Sequence, residues 1–328
     1  MPSAEPIWLT EADTASLLSL PEAIDVLERS LALEARDEAR NMLKTQVSWG
    51  DGHTVHAIGA VFAVDGFAGT KTWAHAGGGA TPLLILFDAR DGSLRAVIEA
   101  FALGQLRTGG ISGVATRWLA RADASELALV GSGKQALAQV AAVNAVRPLK
   151  RVRVYSPTAA HRTRCVERIR NEIGIDAEAV VSVAEAVNDA PIITLVTRAR
   201  EAFLSEAMVA AGAHINAIGA ITPDRVEFAG DIFGRCAMSV VDSVASVQRL
   251  SREFIDHFAG DDWSRVTPLS AVVTERRARP SAADLTLFKA MGMGISDLAL
   301  GIEIYHRAQR CGLGRHFAQP QTATPRLR

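Results

Sequence analysis

The chain has 328 residues, of which 48% are hydrophobic, and its formal net charge is −1. The length allows two domains of ordinary size, and the near-zero charge argues against a strong attraction to nucleic acid or anionic lipid. No apolar run approaches the roughly 20 residues that cross a bilayer, so we expect no membrane partner.

Three widely separated cysteines, Cys165, Cys236 and Cys311, form no C-x-x-C pair. This spacing is unlike that of a disulfide framework or a cysteine zinc site, and we expect no bound metal. The first residues, MPSAEPIWLTEAD, lack the basic start and apolar stretch of a secretory signal. These features predict a cytoplasmic protein with reduced cysteines.

The first third of the chain predicts helices followed by strands. Apolar residues recur at helical spacing over 11–36. The segments KTQVSWG, HTVHAIGAVFAV, FAGTKTWAH and LLILFDA are then typical of strands in an antiparallel arrangement. We interpret this part as a smaller α+β domain.

From about residue 121, strands and helices alternate. LALVG, KRVRVYS, PIITLVT, AHINAIG, CAMSVVDS and LTLFK have the apolar character of buried strands. Alternation of this kind predicts an α/β fold with a Rossmann-type, doubly wound parallel sheet. Residues 294–310 predict a helix that returns to the first domain. We therefore place one domain at 1–118 and 295–328 and the Rossmann dinucleotide-binding domain at 119–294.

A glycine-rich turn, LVGSGKQA, follows the first of these strands and precedes a helix. Glycines there allow a tight turn and a close approach to a pyrophosphate, which the helix N-terminus then attracts. A purely structural turn is the alternative, but the strand before and the helix after favour a dinucleotide site. The cofactor-binding candidates in this turn are Gly131, Ser132, Gly133, Lys134, Gln135 and Ala136.

The end of the second strand indicates which cofactor is bound. An acid there would bind the ribose 2′-hydroxyl and repel a 2′-phosphate. The chain instead has the neutral Ser156 and Thr158, followed by Arg162 and Arg164. This pattern favours NADP(H), with NAD(H) still possible; alternatively the arginines only solvate a helix face.

Lys71 is a candidate catalytic residue. In a strand FAGTKTWAH, it shares a face with Phe67, Gly69 and Trp73. A lysine on an apolar face needs a partner or must lose its charge, and burial moves lysines toward the range useful for proton transfer. The alternative is a lysine that snorkels from a strand end.

Arg107 is the second candidate catalytic residue. The segment LRTGGISGVATRWLA predicts that Arg107 and Thr108 lie at the start of a helix, with Thr108 as its cap. An arginine beside a helix N-terminus suits a carboxylate or phosphate. A salt-bridged surface arginine is the alternative.

Eight segments, in chain order, together resemble the ornithine cyclodeaminase/mu-crystallin family. They are KTQV, GTKTW, LFDARDGSLRAV, LRTGG, LALVGSGKQA, AGAHINAIGA, VVDS and LFKAMGMGISDLA. The resemblance, over about residues 10 to 310, implies a homodimer whose first domain binds the substrate and forms the dimer. It also implies NAD(P)-dependent hydride transfer at the α-carbon of an amino or imino acid.

The resemblance implies that Lys71 lies near the substrate carboxylate and the reacting nitrogen, and that Arg107 binds that carboxylate beside the nicotinamide. Lys44 occupies the position of a family arginine; the lysine keeps the positive charge but lacks the bidentate guanidinium group. Asp297 occupies the position of a family acid. Thr81 is a further candidate substrate-binding residue. The remaining cofactor-binding candidates are Thr108, Pro157, Thr197, Arg198, Gly219 and Ala220, with Ser156, Thr158 and Arg162.

One departure bears on the reaction. Cyclodeaminases of this family carry an aspartate two residues after the position of Gly219, where this chain has Ile221, and Asp224 follows three residues later. We therefore expect an NADPH-dependent reductase of carboxylate-bearing imines, whose substrates are small amino, imino or keto acids. One alternative is an alanine-dehydrogenase-like or cyclodeaminase activity with NAD; another is a catalytically weak NADPH-binding protein of the crystallin type.

Overall fold

The structure, a computed structural model, describes residues 5–258, 260 and 263–328. The chain divides into two compact units. Unit 1 comprises the chain up to Ser19, Arg36–Gly104 and the chain from Gly294 onward. Unit 2 comprises Leu20–Ala35 and Gln105–Met293.

In the described residues, the strands in chain order are β1 (Ile7–Leu9), β2 (Ala39–Asn41), β3 (Thr45–Trp49), β4 (His53–Phe62), β5 (Phe67–Ala76), β6 (Gly79–Ala80), β7 (Leu83–Asp88), β8 (Leu94–Glu99), β9 (Glu126–Val130), β10 (Arg151–Tyr155), β11 (Asp176–Ala179), β12 (Ile192–Leu195), β13 (His214–Ala217), β14 (Cys236–Val241), β15 (Val266–Pro268), β16 (Leu285–Lys289) and β17 (Arg315–His316). The α-helices are α1 (Glu11–Leu17), α2 (Leu20–Ala35), α3 (Phe101–Leu119), α4 (Ala136–Val146), α5 (Ala159–Arg168), α6 (Val183–Val187), α7 (Val244–Leu250), α8 (Arg252–Phe258), α9 (Leu269–Thr274) and α10 (Gly294–Cys311).

Unit 1 is built on a mixed sheet in the order β17-β1-β8-β7-β5-β4-β2, with β3 paired to β4 and β6 paired to β5. Most neighbours are antiparallel, as the sequence predicts, and β1 pairs in parallel with β8. The cross-strand register places Ile58 opposite Lys71 and His56 opposite Trp73. The long α10 belongs to this unit.

Unit 2 contains a parallel sheet in the order β11-β10-β9-β12-β13-β16-β14-β15. Along β9, Leu127 and Leu129 pack into one buried cluster, whereas Ala128 and Val130 pack into another. Alternate side chains of a strand point to opposite faces, so a strand covered on both faces reads as a continuous apolar run. The predicted α/β fold with a Rossmann-type, doubly wound parallel sheet is therefore confirmed.

The start of α3 differs from the prediction. The sequence places Arg107 and Thr108 at a helix start, but the helix begins at Phe101, so both residues lie about two turns inside it. The carboxylate of Glu11 accepts hydrogen bonds from the backbone N–H groups of Phe101 and Ala102. Glu11, which lies ninety residues earlier in the chain, thus caps the helix at Phe101. Thr108 is therefore not the capping residue.

The second part of α3 packs closely against α2. A Cβ atom on Gly110 would lie 2.6 Å from Leu27 Cδ1, and one on Gly113 would lie 2.7 Å from Ile24 Cδ1. Both segments belong to unit 2, whereas the sequence-based division assigns residues 20–35 and 105–118 to the first domain. Among the described residues, no helix is both long and apolar enough to span a membrane.

Candidate functional site

The candidate cofactor site lies at the carboxyl ends of the strands of unit 2. Chain order reverses between β9 and β12, because β10 follows β9 on one side and β12 lies on the other. In open α/β sheets, ligands bind outside the carboxyl ends of the strands at this switch point. The described residues bring together no group of three or more His, Cys, Asp or Glu side chains placed to hold a metal.

The glycine turn after β9 has the geometry of a phosphate cradle. Gly131 has φ +113°, a conformation that favours glycine, and its N–H donates to the carbonyl of Tyr155 at 2.8 Å. A Cβ on Gly131 would lie 2.5 Å from the Val196 carbonyl oxygen, whereas one on Gly133 would meet nothing within 4 Å. The first glycine therefore makes the tight turn, and the second leaves the backbone open to a ligand.

The N-terminus of α4 follows this turn directly. Ala136 is buried as the first helical residue, and the preceding Gln135 makes no side-chain capping hydrogen bond. Helix N-termini carry N–H groups without intrahelical partners and a partial positive charge. Lys134 is exposed beside them. These residues fit the pyrophosphate of a dinucleotide.

The end of β10 carries hydroxyl and guanidinium groups. Ser132 Oγ donates to Ser156 Oγ at 2.9 Å, which joins the first two strand ends. Arg162 Nη1 donates to the carbonyl of Ser156 at 2.9 Å. Pro157 and Thr158 are exposed in the turn that leads into α5. The turn at residues 156–158, predicted to bind the ribose and here called the ribose-binding turn, is thus hydrogen-bonded to an arginine.

At the ends of β12 and β13, one buried carboxylate accepts hydrogen bonds from the backbone after both strands. Glu227 accepts from the N–H groups of Thr197 at 2.7 Å, Gly219 at 2.8 Å and Ala220 at 3.1 Å. Arg198, the other candidate here, is exposed. Sequence reasoning missed Glu227, and a glutamate in the otherwise apolar segment VEF was the available signal.

Arg107 projects from α3 toward a second group of strand ends in unit 2. A Cβ on Gly292 would lie 2.8 Å from Arg107 Nη1. The Asp242 carboxylate accepts from the N–H groups of Met291, at 2.9 Å, and Gly292, at 2.7 Å. Burial raises the pKa of Asp242, while these hydrogen bonds and the charge of Arg107 oppose the rise. Asp242, in the VVDS segment, is a second site residue that sequence reasoning did not assign.

Thr108 lies where α3 meets α4. Its carbonyl accepts from Gln139 Nε2 at 3.0 Å, and a Cβ on the adjacent Gly109 would lie 2.8 Å from the carbonyl oxygen of Ala138. The missing side chain of Gly109 lets the two helices approach. Thr108 is therefore held next to the helix that follows the phosphate cradle.

In unit 1, Lys71 and Asp297 form a buried ion pair. Lys71 is 3% exposed, Asp297 is 0% exposed, and Nζ lies 2.5 Å from Oδ1. The Lys71 ammonium also lies 5.1 Å from the centroid of the Trp73 ring. The predicted apolar-side lysine is thus buried with a carboxylate that lies 226 positions away in the chain.

The start of α10 fixes the position of Asp297, which lies in its first turn. The N–H of Ile295 donates to Asn41 Oδ1 at 2.9 Å. A Cβ on Gly294 would lie 1.9 Å from the carbonyl oxygen of Gly59. Glycine is required there because the helix starts directly against β4. The carboxylate is also favoured by the positive end of the helix dipole.

His56 and Lys44 lie around the same strand pair. The His56 ring stacks on Trp73 with centroids 4.7 Å apart, and its Nε2 lies 2.8 Å from Thr54 Oγ1. Burial, followed by the charges of Lys44 and His75, lowers the pKa of His56 to about 4. The imidazole is therefore neutral near pH 7.

Thr81 is exposed between β6 and β7. The glycine-rich segment before it forms a tight hairpin, in which Ala76 is opposite Gly79. Beyond β13, Ile221 packs against the hydrophobic core of unit 2. Asp224 is exposed, with Thr222 Oγ1 donating to it at 2.6 Å and Arg200 at 3.5 Å.

Comparisons with known proteins identify the family of the chain. The model of the ornithine cyclodeaminase/mu-crystallin family matches residues 7–312. The chain is 30% identical to a Delta(1)-pyrroline-2-carboxylate reductase of Bacillus cereus (strain ZK / E33L), over 72% of this chain and 73% of that relative. It is 31% identical to the ketimine reductase mu-crystallin of Rattus norvegicus, over 68% of each chain.

A solved structure has the same fold. The Thermococcus litoralis Delta(1)-pyrroline-2-carboxylate reductase, in complex with NADH and L-proline, matches with a TM-score of 0.89 and 25% identity. The match covers 95% of this chain and 100% of that one. The sequence resemblance is therefore confirmed, and the chain belongs to the ornithine cyclodeaminase/mu-crystallin family.

Proposed function

We propose that this chain is an NADPH-dependent reductase of imines that carry a carboxylate, including ketimine and cyclic imino acids. The observation that carries the proposal is the buried Lys71–Asp297 pair, which holds an ammonium group 2.5 Å from a carboxylate. The named activities of two relatives, pyrroline-2-carboxylate reduction and ketimine reduction, belong to this reaction class.

The chain's own residues would perform the binding and proton steps. When bound, the reduced nicotinamide supplies a hydride to the imine carbon, and the nitrogen must then gain one proton. The Lys71 ammonium supplies that proton, and Asp297 holds the ammonium in place. Arg107 binds the substrate carboxylate through its planar fork. The products are an amino acid and NADP+.

The end of β10 supports the choice of NADPH. Ser156 stands where an acid would exclude a 2′-phosphate, and the Arg162 guanidinium is attached to its carbonyl at 2.9 Å. We expect Arg162→Ala to raise the Kd of NADPH about tenfold and to leave that of NADH nearly unchanged. Arg168→Ala, at the exposed C-terminal end of α5, is the matched control.

Two features disfavour cyclodeamination. Ile221, where cyclodeaminases carry an aspartate, has no titratable group and packs into the core. The hydrogen bond from Thr222 Oγ1 lowers the pKa of Asp224, with smaller contributions that include the charges of Arg225 and Arg200. A carboxylate stabilised in its ionised form is a poor proton donor near pH 7.

A homodimer is part of the proposal. In unit 1, β3 is exposed along its whole length and carries the apolar Val47 and Trp49. An exposed apolar strand at a sheet edge is an aggregation hazard unless another chain covers it. A second copy of this chain would cover it.

The decisive experiment compares both reaction directions. NADPH oxidation is followed at neutral pH with Delta(1)-pyrroline-2-carboxylate and with pyruvate plus methylamine. NAD+ reduction is followed with L-alanine and with L-ornithine, together with ammonia release. We expect NADPH-dependent imine reduction to be the fastest reaction. Faster NAD+-dependent ammonia release would overturn the proposal, and so would tight NADPH binding without turnover of either imine.

A further inference from the structure

Glu227 is fully buried and its carboxylate accepts four hydrogen bonds. Oε1 accepts from the Thr197 N–H at 2.7 Å and from Thr197 Oγ1 at 2.8 Å. Oε2 accepts from the N–H groups of Gly219, at 2.8 Å, and Ala220, at 3.1 Å. One side chain therefore ties the residues after β12 to the residues after β13.

The arrangement requires a carboxylate rather than any polar side chain. Both oxygens of Glu227 face donors, and an ionised carboxylate has acceptors on both atoms. A glutamine in the same place has an acceptor on one side and an NH2 group on the other. Its NH2 would face N–H groups, so one strand end would lose its partner.

Gly219 allows the carboxylate to come this close. A Cβ on Gly219 would lie 2.4 Å from Glu227 Oε1, and 2.2 Å from the carbonyl oxygen of Thr197. A side chain at position 219 would thus displace both the glutamate and the neighbouring strand end. Gly219, a candidate from the sequence, and Glu227, which the sequence did not indicate, therefore depend on each other for their positions.

The buried Glu253–Lys289 ion pair supports the backbone of Glu227. The Glu227 N–H donates to Glu253 Oε1 at 3.1 Å, and Glu253 also accepts from Ser251 Oγ at 2.8 Å. Lys289, at the end of β16, reaches Glu253 at 3.4 Å, and both side chains are fully buried. The lysine offsets part of the buried negative charge.

We propose that Glu227 is the positioning residue for the nicotinamide half of the cofactor. Its carboxylate fixes the backbone after β12 and β13, the two strand ends on the far side of the switch point from the ribose-binding turn. The phosphate cradle at Gly131–Ala136 and the ribose-binding turn follow β9 and β10 instead, so we expect the adenosine half to bind without Glu227. This inference rests on the proposed function, because it requires a dinucleotide bound across this edge.

The test compares two ligands that differ only in the nicotinamide. The Kd of NADPH and the Kd of 2′-phospho-ADP-ribose are measured for the full chain and for Glu227→Gln. We expect the variant to raise the Kd of NADPH about tenfold or more, because donors that faced a carboxylate lose it. The Kd of 2′-phospho-ADP-ribose should change by less than about twofold.

A matched control is Glu185→Gln. Glu185 is an exposed glutamate of α6 that also accepts a backbone hydrogen bond, from Val181 at 2.9 Å. We expect it to change neither Kd. If Glu227→Gln is insoluble, Glu227→Asp takes its place, since it keeps the charge and loses the reach to both strand ends.

Each outcome of this experiment either supports or overturns a proposal. A selective loss of NADPH affinity supports the inference. Equal affinities in variant and wild type, or an equal loss of both ligands, would overturn it, since neither separates the two halves of the cofactor. Wild-type protein that binds neither ligand would instead overturn the proposed function on which the inference depends.

Discussion

At the scale of single residues, the buried Lys71–Asp297 pair has a structural role that can be separated from its proposed catalytic role. Removing one partner of a buried ion pair leaves an uncompensated charge and typically costs about 3–5 kcal/mol of stability. Replacing both partners by apolar side chains of similar volume is often nearly neutral. Stability and catalysis can therefore be separated by comparing single and double variants.

We expect Lys71→Met to lower imine-reductase turnover at least about a hundredfold, since no proton donor remains at this position. The single variant should also lower the midpoint of thermal unfolding. The double variant Lys71→Met/Asp297→Leu should recover most of the stability and none of the turnover. Calorimetry and a steady-state assay measure the two effects, with the exposed Lys150→Met as control. Full turnover in Lys71→Met would remove the lysine from the mechanism.

A buried histidine makes the stability of unit 2 sensitive to acid. His214 is fully buried between Thr286 Oγ1 and Asn216 Oδ1, at 3.0 and 3.1 Å. Burial lowers the pKa of His214 from 6.5 to about 3. Below pH 6.5 the unfolded chain therefore binds a proton that the folded chain does not. The free energy of unfolding consequently decreases as the pH is lowered.

We expect this loss to approach about 1.4 kcal/mol per pH unit for one proton between pH 6 and 4. The half-buried His56 adds to it with the same sign, because its pKa is lowered to about 4. Urea unfolding at several pH values measures the slope. His214→Asn should reduce the slope, whereas His316→Asn, on the exposed β17, should not. Equal slopes in wild type and His214→Asn would contradict the assignment.

At the scale of elements, the docking of α10 depends on one glycine. We expect Gly294→Ala to destabilise the protein by roughly 1–3 kcal/mol, because its Cβ would overlap the carbonyl of Gly59. Turnover should fall as well, since Asp297 lies in the first turn of the same helix. Thermal unfolding and the reductase assay measure both effects.

The matched control is Gly104→Ala in α3. A Cβ there would meet nothing within 4 Å, and alanine is favoured over glycine inside a helix by roughly 0.5–1 kcal/mol. We therefore expect this variant to be slightly more stable than wild type. If Gly294→Ala matched it, α10 would have room to move away from β4 without loss, and close docking would not be what fixes Asp297.

Local patterns in the sequence were sufficient for the elements and for part of the site. Alternation along β5 predicts that Lys71 lies on the buried side, and the glycine spacing before α4 indicates the candidate phosphate cradle. The start of α3 could not be predicted in the same way, because its cap is Glu11, ninety residues earlier. The partnership of Glu227 with Thr197 and Gly219 is likewise formed only when the sheet assembles.

At the scale of the whole molecule, the candidate site residues are divided between the two units. Unit 1 contains the Lys71–Asp297 pair, and unit 2 contains the phosphate cradle, Arg107 and the Glu227 network. The surface of unit 1 also has an apolar strand, because Val47 is 64% exposed and Trp49 is 45% exposed on β3. In the described residues β3 pairs with β4 and has no second strand partner.

We expect the protein to be a homodimer that buries β3, and we expect Val47→Asp to convert it to a monomer. A charge placed in an interface core loses its hydration without gaining a partner, and this penalty is paid in each copy. Sedimentation velocity at several concentrations measures the mass. Val64→Asp is the matched control, because Val64 is 74% exposed in the turn between β4 and β5. A dimeric Val47→Asp variant or a monomeric wild type would show that β3 faces solvent.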